Sequence, residues 1–261
     1  LSPKSGDFLR RYKFNLEPAT DDRPFFFNFF RWRTLPEFLS MRARGGMPLI
    51  EWGYIVLLAT FVQAVLLGFA FILLPMAVLR RKGLVKDGGR IGGYFLLLGA
   101  AFLFIEIAFI QKFILFLSHP VYATSVVLCA FLVFAGIGSR CAVRFTIRAA
   151  VVAIAAIAIL YLFTLPLLFQ RGVGWPDAAK IVFSLLLIAP LAFFMGMPFP
   201  LGLQRVAGAQ PRLIPWAWAV NGFSSVSSAV LAALLAFHLG FNAVILLAVA
   251  AYGLAALLRP R

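Results

Sequence analysis

The chain has 261 residues, of which 63% are hydrophobic and 13% are charged, and its formal net charge is +15. The charges are concentrated between long apolar stretches, a pattern typical of a polytopic membrane protein and not of a soluble core. Basic residues lie at the ends of these stretches, where they orient membrane helices and meet anionic lipid headgroups. This distribution argues against nucleic acid as a partner and predicts a lipid bilayer as the first one.

Residues 1–53 form a polar region that comes first in the chain and is too short to build a domain with its own core. Within it, the stretch FFFNFFRWR (residues 25–33) mixes aromatic and basic side chains. That mixture is typical of an interfacial segment or of a docking surface for a neighbouring domain. Because the chain begins at Leu1, we expect a processed product or part of a longer polypeptide.

A membrane domain is predicted over residues 54–258, with seven apolar stretches near the length of about 20 residues that a spanning helix needs. The predicted spans are residues 54–78, 91–117, 121–138, 149–169, 181–201, 214–237 and 241–258. The predicted fold is therefore all-α, a polytopic bundle of about seven transmembrane helices. Pro198 and Pro200 each remove a backbone donor, which predicts either a broken helix lining a site or a helix end at the interface.

Loop charges predict the orientation of this bundle. With seven spans, the loops and tail on one side carry Arg80, Arg81, Lys82, Lys86, Arg90, Arg140, Arg144, Arg148, Arg205, Arg212, Arg259 and Arg261. The loops on the other side carry only Arg171 and Lys180. The positive-inside rule places the first set in the cytoplasm and residues 1–53 outside, although Arg33, Arg42 and Arg44 near the first span favour the reverse.

Glu106 is the one acidic residue inside a predicted span, and its helical neighbours three and four positions away are all apolar. An unpaired carboxylate at the bilayer midplane costs at least about 2.5 kcal/mol, so it needs a proton, a partner or water. Gln63 in the preceding antiparallel span lies at a similar depth and is the simplest hydrogen-bond partner. The alternative is a proton or cation site.

The sixth predicted span presents a narrow face of small residues at helical spacing. Its members are Asn221, Ser225, Ser228 and Ala232. Such a face allows another helix to pack closely, and a ligand groove is the alternative. Glu106, Gln63 and Asn221 together are the candidate intramembrane polar site.

His119 and His238 each follow the end of a span, and the seven-span topology places both turns on one side. Two imidazoles can hold haem iron, whereas a histidine at a helix end more commonly caps carbonyls or meets water. The sequence has no Cys/His metal cluster, no glycine-rich nucleotide loop after a strand and no nucleophile beside a base. We therefore predict no catalytic residue, metal site or cofactor site in this chain, apart from that haem alternative.

Four blocks in order resemble the C-terminal membrane portion of spermidine-synthase-like membrane proteins. They are ATDDRPFFFNFFRW (residues 19–32), FLFIEIAFIQKFILFLSHPVYATSVVL (102–128), FFMGMPFPLGL (193–203) and PWAWAVNGFSSVSS (215–228). The resemblance implies a soluble aminopropyltransferase-like domain, which would bind S-adenosylmethionine or its decarboxylated form, joined to a multi-pass protein of the bacterial inner (plasma) membrane. The stretch TDDRP would correspond to the join, with Asp21, Asp22 and Arg23 as the candidate interface.

The nucleotide loop and catalytic acids of such a transferase domain are not in this chain, so catalysis would belong to upstream sequence or to a partner. The leading hypothesis is a membrane module that anchors or partners this soluble domain and is not catalytic by itself. A noncatalytic structural subunit of a larger membrane complex and an amine or cation carrier using Glu106 are the alternatives. A domain that uses S-adenosylmethionine is expected in the cytoplasm, which conflicts with the orientation that the loop charges predict.

Overall fold

The computed structural model describes residues 19–25, 52–70, 74–75 and 88–260. Most of the aromatic segment 25–33 lies outside these residues, as do Arg33, Arg42 and Arg44. The loop 79–87 and parts of the predicted first span, 54–78, also lie outside them.

The described regular structure is helical, apart from an isolated bridge between Thr20 and Arg23. The described helices are α1 (Trp52–Gly68), α2 (Gly88–Leu117), α3 (Pro120–Cys141), α4 (Ile147–Gly172), α5 (Asp177–Met195), α6 (Pro198–Ala209), α7 (Ile214–Leu239) and α8 (Phe241–Leu258). Short 3₁₀ turns, Ala142–Arg144 and Pro211–Leu213, precede α4 and α7.

Six helical stretches in the described residues are long and apolar enough to cross a membrane. They are Gly88–Leu117, Pro120–Arg144, Ile147–Gly172, Asp177–Ala209, Pro211–Leu239 and Phe241–Leu258, and α1 is a shorter apolar helix. Large apolar side chains point outward, with Val121 75%, Leu132 73% and Phe163 71% exposed. Outward apolar surface of this extent is unfavourable in water and suits lipid. The predicted all-helical membrane bundle is confirmed, and the first predicted span is helical over Trp52–Gly68.

The fifth predicted span is interrupted, but not in the way that its two prolines suggest. Helix α5 ends at Met195, and α6 begins at Pro198 after a turn through Gly196. Proline is well suited to the first position of a helix, where its missing N–H would have no partner. Pro200 lies in the same first turn, where backbone donors are also free. Pro198 and Pro200 therefore begin a helix instead of ending one.

Helix α2 is the centre of the bundle and packs against α3, α7 and α8. Its side chains Phe95, Phe109 and Phe113 are fully buried. Phe109 meets Phe131 of α3 edge to face, with ring centroids 5.8 Å apart, a favourable geometry for two aromatic quadrupoles. The many aromatic side chains of the second predicted span thus form the core around which the other helices pack.

Two contacts define the ends of the bundle. Lys112, near the end of α2, donates a hydrogen bond to Asn242, near the start of α8, over 2.8 Å. We call this end the Asp22 end, because the carboxylate of Asp22 also contacts Asn242 there. At the other end, the arginine end, Arg90 in the first turn of α2 donates to carbonyls of the last turn of α8. The turns that carry His119 and His238 both lie at the Asp22 end, as the sequence predicts.

Helices α3 and α5 cross with their backbones in direct contact at two glycines. A Cβ at Gly138 would overlap the carbonyl oxygen of Phe193, and a Cβ at Gly196 would overlap that of Ala135. Small residues permit this close approach of membrane helices.

We expect Gly138→Ala or Gly196→Ala to force the two helices apart and to lower the stability of the bundle by about 1–3 kcal/mol, the usual cost of overpacking. Gly136→Ala is the matched control, because a Cβ there meets nothing within 4 Å. Unfolding of the purified chain in detergent measures all three. Equal stability of the three variants would show that the crossing tolerates a wider separation.

Candidate functional site

The segment 19–25 folds into a tight turn that presents two carboxylates. The N–H of Arg23 donates to the carbonyl of Thr20 over 2.9 Å, and the N–H of Thr20 donates to the carbonyl of Arg23 over 3.2 Å. The hydroxyl oxygen of Thr20 accepts a further bond from the N–H of Arg23. Asp21 and Asp22 lie at the tip of this turn.

Asp22 caps a helix that begins more than 200 residues later in the chain. Its backbone carbonyl accepts a hydrogen bond from the N–H of Phe241 over 3.1 Å, and its Oδ1 accepts one from the N–H of Asn242 over 2.8 Å. These are the first donors of α8, which have no partner inside the helix. A carboxylate at this position also interacts favourably with the positive end of the helix dipole.

Gly240 makes this long-range cap possible. It precedes α8 with φ of +88°, a conformation that L side chains rarely adopt, and it offers no side chain to cap the helix itself. A Cβ at this position would overlap the carboxylate of Asp22. Because Gly240 has no side chain, the first N–H groups of α8 stay free for Asp22, and there is room for the Asp22 carboxylate beside them.

Lys112 and Phe25 complete the attachment of the segment. The Lys112 ammonium lies 3.9 Å from Oδ1 of Asp22 while it donates to Oδ1 of Asn242, and its side chain is only 11% exposed. The ring of Phe25 packs against Phe237 and Phe241, at centroid distances of 5.3 and 5.9 Å. Charge, hydrogen bonds and aromatic packing thus hold one short segment at the junction of α7 and α8.

Of the predicted interface residues, the structure places Asp22 in contact with the membrane bundle and leaves Asp21 and Arg23 exposed. The residues that receive Asp22 are Lys112, Gly240 and Asn242, which sequence analysis did not connect with it. A glycine between two spans, followed by an asparagine, is a weak signal by itself. Nothing in the sequence points from that turn to a segment near the other end of the chain.

A cavity of about 380 Å³ lies beside this junction. Its polar lining is Asp21, Asp22, Lys112, Gln170 and Asn242, and its apolar lining includes Phe116, Leu165 and Phe169. Small-molecule sites usually combine an apolar wall with a few polar groups in this way. Two carboxylates against one ammonium make the polar side net negative, so the cavity suits a small ligand with a cationic group and an apolar part.

The three candidates for an intramembrane polar site do not come together. Glu106 is buried in the bundle at 8% exposure and makes no hydrogen bond or ion pair with any described residue. Gln63 is exposed on α1, which packs against α7. The hydrogen bond predicted between Gln63 and Glu106 is not formed.

Asn221 has a packing role. Its side-chain amide donates to the carbonyl of Phe95 in α2 over 3.0 Å, and Ser224 donates to the neighbouring carbonyl of Leu96. Gly99 lies at the same contact, where a Cβ would be 2.6 Å from the carbonyl oxygen of Asn221. Asn221 thus lies where α7 packs closely on α2, together with Ser224, which was not among the predicted members of the small face.

The two histidines are exposed at the Asp22 end and have separate aromatic neighbours. Nε2 of His238 lies 3.0 Å from the hydroxyl of Tyr54, and His119 packs edge to face against Tyr122. Haem ligation by these two histidines stays a prediction. Within the described residues, no group of three or more His, Cys, Asp or Glu side chains could hold a metal ion.

We expect Asp22→Ala to lower the free energy of unfolding by about 1.5–3 kcal/mol, because it removes a charged acceptor from an N–H and from Lys112. The control is Asp21→Ala, which changes the net charge equally at an exposed side chain and is expected to stay within about 0.5 kcal/mol of the parent. Thermal unfolding of the chain in detergent compares the two. If both variants lose equal stability, net charge and not capping explains the effect.

Comparison with known protein families, characterised proteins and solved structures finds no match to this chain.

Proposed function

We propose that this chain is the membrane module of a spermidine-synthase-like protein, which anchors a soluble aminopropyltransferase-like domain, fused or associated, and is not catalytic by itself. The observation that carries the anchoring role is the attachment of segment 19–25 to the bundle through Asp22. A segment that joins two domains gains a fixed position when its backbone and side chains are bonded to the membrane part. The kind of soluble domain is suggested by the sequence resemblance alone.

The chemistry of the attachment supports a lasting anchor. Asp22 uses both its backbone carbonyl and its carboxylate, and Phe25 adds aromatic packing three residues later. Because Asp22 also satisfies donors at the start of α8, the bundle itself is less stable without the segment. Anchor and bundle therefore stabilise each other.

The distribution of charge supports an orientation. The described basic residues at the arginine end are Arg90, Arg140, Arg144, Arg148, Arg205, Arg212 and Arg259, against Arg23, Lys112, Arg171 and Lys180 toward the Asp22 end. The positive-inside rule then places the arginine end in the cytoplasm and segment 19–25 on the opposite side. S-adenosylmethionine is expected in the cytoplasm, so this orientation favours an anchored domain that shares the transferase fold without its catalysis.

The anchoring role is tested by cutting the chain after the attached segment. We would insert a site-specific protease sequence between Gly45 and Gly46 of the native protein in membranes, cleave it, and solubilise the product in mild detergent. The N-terminal fragment is expected to stay with the membrane fragment on size-exclusion chromatography, because Asp22 and Phe25 hold it without a covalent link. Asp22→Ala is expected to release most of the fragment, whereas Asp21→Ala retains it.

Equal retention by the parent and Asp22→Ala would contradict the anchoring role of Asp22. The intact mass of the uncleaved native protein tests the second part of the proposal. A mass above 28.7 kDa by roughly a domain of 100–200 residues, or a co-purifying soluble protein, supports an anchored domain. A solitary chain of 28.7 kDa would refute it.

A second function, cation or proton carriage through Glu106, is favoured by one observation. Glu106 is buried among apolar residues of the bundle and has no bonded partner in the described part of the chain. An ionisable residue in such a place is a functional site by default, since a purely structural role would be served by an apolar side chain.

For this second function, we expect Glu106→Gln to abolish cation-coupled or proton flux in proteoliposomes, because the amide cannot exchange a proton or balance a cation. Its thermal stability is expected to equal or exceed that of the parent, since glutamine has nearly the same shape and removes the cost of burying a charge. Glu106→Asp, which keeps the carboxylate, is the control and should retain part of the flux. Undiminished flux in Glu106→Gln would exclude a carrier that uses this acid.

A further inference from the structure

Four arginines from four different parts of the chain gather at the arginine end. Arg90 lies in the first turn of α2, Arg148 in the first turn of α4, Arg205 in α6, and Arg259 directly after α8. Arg90 donates from Nε to the carbonyl of Leu258 and from Nη2 to that of Leu257, each over 3.3 Å. Helix α4, which begins next to Arg148, packs against α6 and α8. The fold therefore brings these distant basic residues to one end of the bundle.

Arg205 extends the same convergence. Its Nη1 donates to the carbonyl of Pro260 over 3.2 Å. Arg90 and Arg205 thus bind the backbone on both sides of Arg259. The positive charge of Arg148 above all, then partial burial, then the charges of Arg205 and Arg90 lower the pKa of Arg259.

The described residues supply no negative charge to balance this cluster. Of the described acids, Asp21, Asp22 and Asp177 lie at the Asp22 end, and Glu106 lies within α2. Backbone carbonyls satisfy hydrogen-bond donors but carry no net charge. Like charges held together by the fold repel each other, and a bound anion would offset that repulsion.

The surroundings of the cluster point to a particular kind of anion. The arginines lie at the ends of membrane-spanning helices, where the phosphates of phospholipids are the neighbouring anions. The planar guanidinium fork matches phosphate oxygens in bidentate geometry. Leu257, whose carbonyl Arg90 binds, has a side chain that is 74% exposed on the outside of the bundle, and Leu254 one turn deeper is 53% exposed. A headgroup held by the arginines can therefore lay its acyl chains along α8.

We propose that Arg90, Arg148, Arg205 and Arg259 form a binding site for the phosphate of an anionic phospholipid in the leaflet at the arginine end. Arg90 and Arg205 are fixed by their bonds to the end of α8 and set the position of the site. Arg148 and Arg259 make no hydrogen bond with a described residue, so their donors are available to the lipid. The exposed leucines of α8 distinguish a lipid from a free phosphate, which would gain nothing from an apolar surface.

The test is a lipid titration of the full chain in neutral detergent, followed by native mass spectrometry, with phosphatidylglycerol, phosphatidylcholine or inorganic phosphate as the probe. Phosphatidylglycerol is expected to bind at least about tenfold tighter than phosphatidylcholine. The double variant Arg148→Gln with Arg259→Gln is expected to weaken phosphatidylglycerol binding by about tenfold or more, since each basic residue near a lipid surface contributes about 1 kcal/mol. Arg148→Lys with Arg259→Lys should restore most of the binding, because the charge remains.

The matched control is Arg144→Gln with Arg212→Gln, which removes two exposed charges from the same end outside the cluster. Equal weakening by this pair would mean attraction to overall surface charge and would overturn the site. Displacement of phosphatidylglycerol by inorganic phosphate at equal concentration would assign the site to a soluble phosphate and overturn the proposal of a lipid.

If the glutamine pair does not fold, the single variant Arg148→Gln is measured instead. It changes an exposed side chain with no bonded partner to lose, and it is expected to show a smaller loss of phosphatidylglycerol affinity. Unchanged affinity in this single variant then overturns the proposal.

Discussion

The first N–H groups and the last carbonyl groups of helix α8 have no hydrogen-bond partner in the helix itself. Residues from other segments bind them, and these bonds organise both ends of the bundle. At the start of α8, Gly240 offers no capping side chain, and Asp22 accepts the free N–H groups. At its end, Arg90 and Arg205 donate to carbonyls of Leu257, Leu258 and Pro260. An anion at the start and cations at the end also match the helix dipole. Unsatisfied backbone groups are expensive near a membrane, which gives these distant contacts their importance.

Helix α2 supplies a cation near each end of the same helix. Lys112 contacts Asn242 at the start of α8, and Arg90 contacts the last carbonyls of α8. The two helices are antiparallel, and polar contacts at both ends fix how far one can slide along the other. This fixed register connects the Asp22 attachment and the arginine cluster, because both are assembled on the ends of α8.

Hydropathy predicts the helices well because burial in lipid acts on each span separately. The predicted span 241–258 coincides with α8, and 214–237 begins where α7 begins. Turn chemistry was predictable only in part: Pro198 marks a break, but proline alone does not say on which side of it the helix lies. The Asp22 cap lies outside what hydropathy can predict, because the two partners are 220 residues apart and the contact depends on a glycine with positive φ.

Which spans pack next to each other could not be predicted, for a different reason. Lipid solvates every apolar helix equally, so hydropathy does not choose neighbours, whereas small residues and polar side chains do. Gly99 allows α7 to approach α2, where Asn221 and Ser224 donate to its backbone. Helix α1 packs on another side of α7, where Gly68 allows close contact because a Cβ there would overlap the ring of Phe223. The pairing of α2 with α7 thus keeps Gln63 away from Glu106 and leaves the acid in the core without an amide partner.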